Sequence, residues 1–302
     1  MPKSDLIPML CTLAGACLWG IVWIPIKVLE GLGVTGLWTT FWVYSLITVV
    51  SLPLLIRDYL KSRISWQWGP IGIVLIFGGL TNFFFFLSLA NTTVVRALMF
   101  FYLSPVWNLL ASRIIFGQAL TVKKIVVVCV ALLGAFVLLG LYRSSLFFWN
   151  AGDTLALCSG LSFAVSVFGM KKSPATPGWA LAAVNWLGTA LFALATILIL
   201  GAQPPSASNI SQWLPLLFIL AFFLQGTASL LIIFSLTRLA VYRVNILMLF
   251  ELIAGAVSFA VWNALTIPFH EWLGIGLIIA ASLADNLHSP LRLFGHGSVE
   301  WK

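Results

Sequence analysis

The run GWALAAVNWLGTALFALATILILG, from Gly178 to Gly201, decides how this chain folds, because it carries no charged side chain and is long enough to cross a bilayer as one helix. A hydrocarbon core of about 30 Å takes about 20 apolar residues at the helical rise. The run lies within a longer charge-free stretch between Lys172 and Arg238, which must hold a second crossing. Gln203-Pro-Pro-Ser-Ala-Ser-Asn209 breaks that stretch with turn-forming residues, and Trp213 to Phe234 resumes it.

The same pattern fills the rest of the chain. Of 302 residues, 61% are hydrophobic and 8% are charged, against roughly 25% charged in a soluble domain, so no stretch is left for a soluble catalytic unit. Apolar runs bounded by charges, Gly, Pro and Asn extend from Ile7 to Leu29, Leu37 to Leu55, Gly69 to Leu89, Thr93 to Phe116 and Val122 to Leu141. A second set covers Trp149 to Gly169, Gly178 to Gly201, Trp213 to Phe234, Val241 to Trp262 and Pro268 to Leu287. The expected fold is an all-α polytopic membrane protein with ten transmembrane helices. The first run follows Lys3 but is too long for a signal h-region and has no clear cleavage site, so it reads as the first span.

A net charge of +8 would suggest a nucleic-acid partner in a soluble protein. Sorted by side of a membrane it says something else. With the N-terminus in the cytoplasm, thirteen of the sixteen Lys and Arg fall on the inner side, and only Lys27, Arg96 and Arg143 fall outside. That bias predicts both termini inside and an even number of spans. The partner is then a lipid bilayer, not a nucleic acid. Cys11, Cys17, Cys129 and Cys158 all lie in apolar runs without a CxxC pair, and His270, His288 and His296 sit near helix ends or in the tail. Neither set has the spacing of a metal site, and no cofactor is expected.

Self-similarity organises the spans. Ser88-Leu89 followed by Arg96 recurs as Ser235-Leu236 followed by Arg243, and Gln118-Ala-Leu-Thr121 recurs as Asn263-Ala-Leu-Thr266. The predicted units are residues 1–147 and 148–290, with a cytoplasmic tail over 291–302. Five spans per unit is an odd number, so the halves must enter the membrane in opposite directions. Inverted-topology repeats place a solute site near the midplane, between the halves, and permit alternating access.

Five-plus-five spans, the Ser88-Leu-Ala-Asn-Thr-Thr93 crossing into a helix with Leu103-Ser-Pro105, and the closing Phe116-Gly-Gln-Ala-Leu-Thr121 resemble the drug/metabolite transporter superfamily, in its EamA-type exporter branch. The resemblance runs over about residues 5 to 288. It implies export of a small-molecule substrate, an amino acid with aromatic and other large apolar ones preferred, across a bacterial cytoplasmic (inner) membrane. Drugs, nucleosides or other metabolites are the alternative cargo, and a non-transporting membrane scaffold is the alternative role. Leu252 stands where the first half has Pro105.

Several side chains stand out for such a task. Glu251 is the one carboxylate well inside a run, where an ionised group costs roughly 2.5 to 3.5 kcal/mol. It reads either as a ligand for a substrate amine or proton, or as an acid hydrogen-bonded between helices. Without a deep His, Asp or Lys companion it does not make a catalytic pair, so an intramembrane enzyme is not expected. Ser104 takes the matched position in the first half, beside Pro105, whose missing N–H should kink its helix. Asn82 and Ser229 are a second matched pair, and Gln225, Asn245 and Asn108 extend the polar set. Each reads as cavity lining or as a helix-to-helix hydrogen bond. Trp19, Trp23, Phe86, Tyr102 and Trp107 are the deep aromatics, suited to a bulky apolar solute or to packing. Arg96 and Arg243 are expected to snorkel to opposite surfaces, and Asp153 and Asp285 to be interfacial. Ala131-xxx-Ala135 and Gly276-xxx-Ala280 predict close packing of their helices or a homo-oligomer contact.

Overall fold

A computed structural model describes residues 3–61, 67–92, 94–117, 121–140, 149–206 and 210–287. Every regular element among them is a helix, as the absence of backbone partners in hydrocarbon requires for an open chain. In order they are α1 (Lys3–Gly20), α2 (Trp23–Gly31), α3 (Gly36–Leu60), α4 (Trp68–Ile73), α5 (Gly79–Asn91), α6 (Val94–Phe101), α7 (Ser104–Phe116) and α8 (Val122–Leu138). There follow α9 (Ala151–Lys171), α10 (Gly178–Leu200), α11 (Ile210–Phe218), α12 (Thr227–Arg238), α13 (Val241–Met248), α14 (Phe250–Trp262) and α15 (Phe269–Leu287).

Seven helical runs among the described residues are long and apolar enough to cross a membrane: Asp5–Gly31, Gly36–Leu60, Trp68–Leu89, Ala151–Lys171, Gly178–Leu200, Ile210–Arg238 and Val241–Trp262. The other three expected crossings are helical but shorter. The run from Val94 to Phe116 is divided at Tyr102 and Leu103, α8 has 17 residues, and the last apolar helix covers Phe269–Ala284. The Gln118-Ala-Leu segment and the 291–302 tail lie outside the described residues, as does the side chain of Asp285.

Several runs bend where the sequence withdraws a backbone bond. Pro25 has no N–H for the carbonyl of Ile21, and α1 passes into α2 through short-range bonds, Val22 N to Trp19 O at 3.1 Å among them. Pro105 likewise cannot bond Phe101 O, and the chain turns at Tyr102 before α7 begins. A third break falls at Leu249, between α13 and α14, where no proline stands. Two π-helical segments, Val74–Gly78 and Ile219–Gly226, each begin four residues after a proline, Pro70 and Pro215. Breaks and π segments thus recur at nearly the spacing of the sequence repeat, although the α1–α2 break has no counterpart in the continuous α9.

Close approach of helices depends on glycine at a few points. A Cβ on Gly188 of α10 would come 2.0 Å from the Leu75 carbonyl, so α10 and the first π segment touch backbone to backbone. Gly134 of α8 and Gly274 of α15 meet in the same way, a Cβ on Gly274 falling 2.5 Å from Leu138. Ala131 and Ala135 are buried on α8, as their spacing predicts, whereas Gly276 and Ala280 are exposed and take no part in the α8–α15 crossing. Leu198, Ile199, Leu200, Phe223, Val261 and Phe269 point outward, as lipid-facing side chains do in a polytopic protein.

Candidate functional site

The α6–α7 and α13–α14 breaks face each other through one short polar contact. Tyr102, 2% exposed at the first break, donates its hydroxyl to Glu251 Oε2 at 2.6 Å, just beyond the second. Helix α1 closes on the same point. A Cβ on Gly20 would lie 2.5 Å from the Glu251 carbonyl and 2.6 Å from Ala254 Cβ, so only hydrogen fits between the two helices there. One turn on, Trp23 Nε1 donates to Ser258 Oγ at 3.0 Å, with its ring against Phe259 and Trp262.

Aromatic rings lead away from this acid. Tyr102 meets Phe101 at 5.3 Å between centroids, Phe101 meets Phe85 at 5.1 Å, Phe85 meets Phe86 at 6.4 Å, and Phe86 meets Tyr44 at 6.4 Å. Edge and tilted geometries of this kind suit the ring quadrupoles. The indole nitrogens of Trp19 and Trp107 are buried with no hydrogen-bond partner among the described residues, and so are both amide atoms of Asn245, a residue 2% exposed. Ser104 is buried next to the break, its carbonyl accepting from Asn108 Nδ2 at 3.1 Å. Unmet donors and acceptors at such depth are costly and mark the positions where a polar ligand would be best rewarded.

Other polar residues singled out in the sequence serve neighbouring helices. Asn82 donates to Asn185 Oδ1 at 3.0 Å and to Thr189 Oγ1 at 3.1 Å, joining α5 to α10. Gln225 donates to the Tyr44 hydroxyl at 2.6 Å, joining the second π segment to α3. Ser229 is buried nearby on α12. These seams use Tyr44, Asn185 and Thr189, which sequence reading passed over; Asn185 is legible in retrospect as a lone amide in the charge-free run. Ser258, the partner of Trp23, was also missed.

Both arginines depart from the expected snorkelling. Arg96 turns inward and forks onto Asp153, Nε to Oδ1 at 2.9 Å and Nη2 to Oδ2 in a shorter contact. Asp153 is buried among protein atoms in the first turn of α9, and its carboxylate also accepts from Thr92 Oγ1 at 3.2 Å and from the Asn150 backbone N–H at 2.9 Å. Asn150 returns the bond to Asp153 N as the N-cap of α9. Arg243 reaches Asp5 Oδ2 at 3.1 Å and lies against Met9 Sδ. Charge-assisted bonds, bidentate at Arg96 and a single contact at Arg243, favour the nearby carboxylates over an extended stem.

Long apolar helices, with irregular backbone and an acid enclosed between them, define a multi-pass membrane protein. Residues 6–140, somewhat less than half of the chain, match the model of the EamA-like transporter family. No curated protein matches the chain. Among solved structures 27 chains match; one, titled "Crystal structure of protein", superposes with a TM-score of 0.77 at 17% identity, over 94% of this chain and 98% of its own. That likeness concerns the fold.

Proposed function

We propose that this chain exports amino acids, aromatic and other large apolar ones preferred, across a bacterial cytoplasmic membrane by alternating access of two inverted five-helix repeats. Ten spans, with both termini cytoplasmic, divide into residues 1–147 and 148–290, and the recurrence of breaks and π segments supports that division. The cargo assignment also draws on a likeness in length and aromatic richness to the bacterial aromatic amino acid exporter YddG. The observation that carries the reading is the Tyr102–Glu251 bond, which ties the broken helix of one repeat to that of the other.

In this reading Glu251 takes the substrate ammonium group, released from Tyr102 or sharing it. Trp19, Trp107 and Asn245 offer the unmet polar atoms, the buried Ser104 stands beside the break, and Phe86 with Trp23 bounds the apolar part. Asn82 and Gln225 join the flanking helices, and Ser229 is buried on α12. Broken helices in transporters characteristically surround the substrate in this way.

The test is uptake of labelled Phe, Trp, Met and Thr into liposomes containing the purified protein, with and without a proton gradient. Movement of Phe and Trp ahead of Thr is expected. Failure to move any amino acid, under either condition, would sink the proposal, and movement of nucleosides or drugs in their place would reassign the cargo.

A further inference from the structure

The two Arg–Asp pairs occupy matched places. Arg96 and Arg243 stand in the first turns of α6 and α13, and Asp153 and Asp5 stand in the first turns of α9 and α1. Each pair joins the start of a broken crossing to the start of the helix that runs beside it. Along α1 and α13–α14 the contacts advance in step, Asp5 with Arg243, Gly20 with Gly255 and Trp23 with Ser258. Along α9 and α6–α7 they do the same, Asp153 with Arg96 and Gly160 with Phe101.

Helix α9 itself separates the pairs. Its first turn carries Asp153, while its last residue, Lys171, donates to the Leu239 carbonyl at 2.9 Å, just before α13 and Arg243. Eighteen residues at the helical rise span about 27 Å, so the pairs lie at opposite ends of the bundle. They differ in closure. The Asp153 side chain is 0% exposed and that of Asp5 is 29% exposed.

We infer that the two pairs are reciprocal latches of the transport cycle: each closes one end of the bundle by holding a broken crossing against its parallel neighbour, and both are closed in this structure, the Arg96–Asp153 end more firmly. The inference rests on the alternating-access reading above. The arginines are alike, at 11% and 12% exposed, so the difference lies in the carboxylates: opening the first pair strands a buried charge, whereas Asp5 already meets solvent and gives way at less cost. The Asp5 end is therefore the one poised to open. When it opens fully, the helices it frees no longer oppose release at the other end, so the latches exchange.

The experiment reads accessibility, not transport, and so stands apart from the cargo question. In full-length protein with Cys11, Cys17, Cys129 and Cys158 replaced by serine, single cysteines are placed at matched positions one turn inside each latch, Met99→Cys and Ile246→Cys. Labelling by a membrane-impermeant maleimide is followed in detergent, where both ends meet reagent. Asp153→Asn is expected to raise labelling at Met99→Cys by about tenfold without raising it at Ile246→Cys, a position 1% exposed at the outset. Asp5→Asn should act in the opposite sense. If Asp153→Asn does not yield folded protein, Arg96→Lys, which keeps the charge and loses the fork, serves in its place. Labelling that rises at both reporters together identifies the pairs as plain structural ties and overturns the inference, as does labelling that responds at neither. A chain that shows the reciprocal response but moves no solute in liposomes keeps its latches and loses the transport reading.

Discussion

The break between α6 and α7 and the break between α13 and α14 fall at matched places but are built by different means. In the first, Pro105 frees the Phe101 carbonyl, which rests over Gly160 of α9, where a Cβ would come within 2.8 Å. In the second, Leu252 stands in place of the proline, its N–H reaches back to Leu249 O at 3.0 Å, and the Glu251 carbonyl rests over Gly20 of α1. Each break has a glycine of a neighbouring helix against a nearby carbonyl, Gly160 at Phe101 before the first break and Gly20 at Glu251 after the second. A break that forms without proline is imposed by packing, so the proline in the other half reinforces a bend that its surroundings already demand.

Chemistry separates the two breaks more sharply than backbone does. Glu251 and Ser104 occupy matched positions, yet only Glu251 brings a charge. Glu251→Gln is expected to weaken binding of labelled phenylalanine about ten- to a hundredfold, the effect of losing a charged hydrogen-bond partner. Ser104→Ala should change it by less than about fivefold, as for a neutral bond. Equal losses in a binding assay on purified protein would mean that the halves share the ligand evenly, and the comparison would fail.

Next in size are the glycines. Gly20→Ala sets a methyl group against backbone at 2.5 Å, and Gly160→Ala sets one at 2.8 Å. Each overpacked contact should cost about 1–3 kcal/mol, with Gly20 the more sensitive. Gly276→Ala, which meets nothing within 4 Å, should stay within about 0.5 kcal/mol. Thermal unfolding in detergent measures all three; a harmless Gly20→Ala would remove the argument that α1 packing holds the second break.

How much of this was legible beforehand follows from which forces act locally. The charge-free run from Lys172 to Arg238 announced two helices because burial in lipid depends on composition alone. Pro105 announced a bend because a missing N–H is visible in one letter. The bend at Leu249 was not legible, since Gly20, which accommodates it, lies more than two hundred residues away. Arg96 and Arg243 were recognised as a pair but misread as snorkelling, because Asp153 and Asp5 become neighbours only through packing. Tyr102 and Glu251 were both named as candidates, while the bond between them belongs to the fold. Asn82 and Gln225 showed their polarity but not their partners, and their amides join helices.

Pro105 offers the most direct test of what makes a break. If packing holds both bends, Pro105→Ala should cost less than about 1 kcal/mol, because alanine gains conformational freedom in the unfolded chain and gives up no contact that the neighbours supply. Its new N–H faces a choice. To bond the Phe101 carbonyl the helix must straighten, which would lift that oxygen from Gly160 and draw Tyr102 away from Glu251. With Tyr102 in place the bend should persist. Tyr102→Phe removes the bond to Glu251, and the double variant should then straighten the helix, so that the two substitutions together depart from the sum of their separate effects by roughly 0.5–3 kcal/mol. Unfolding temperatures of the four proteins close that cycle. Strict additivity would mean that the Tyr102–Glu251 bond has no share in holding the bend.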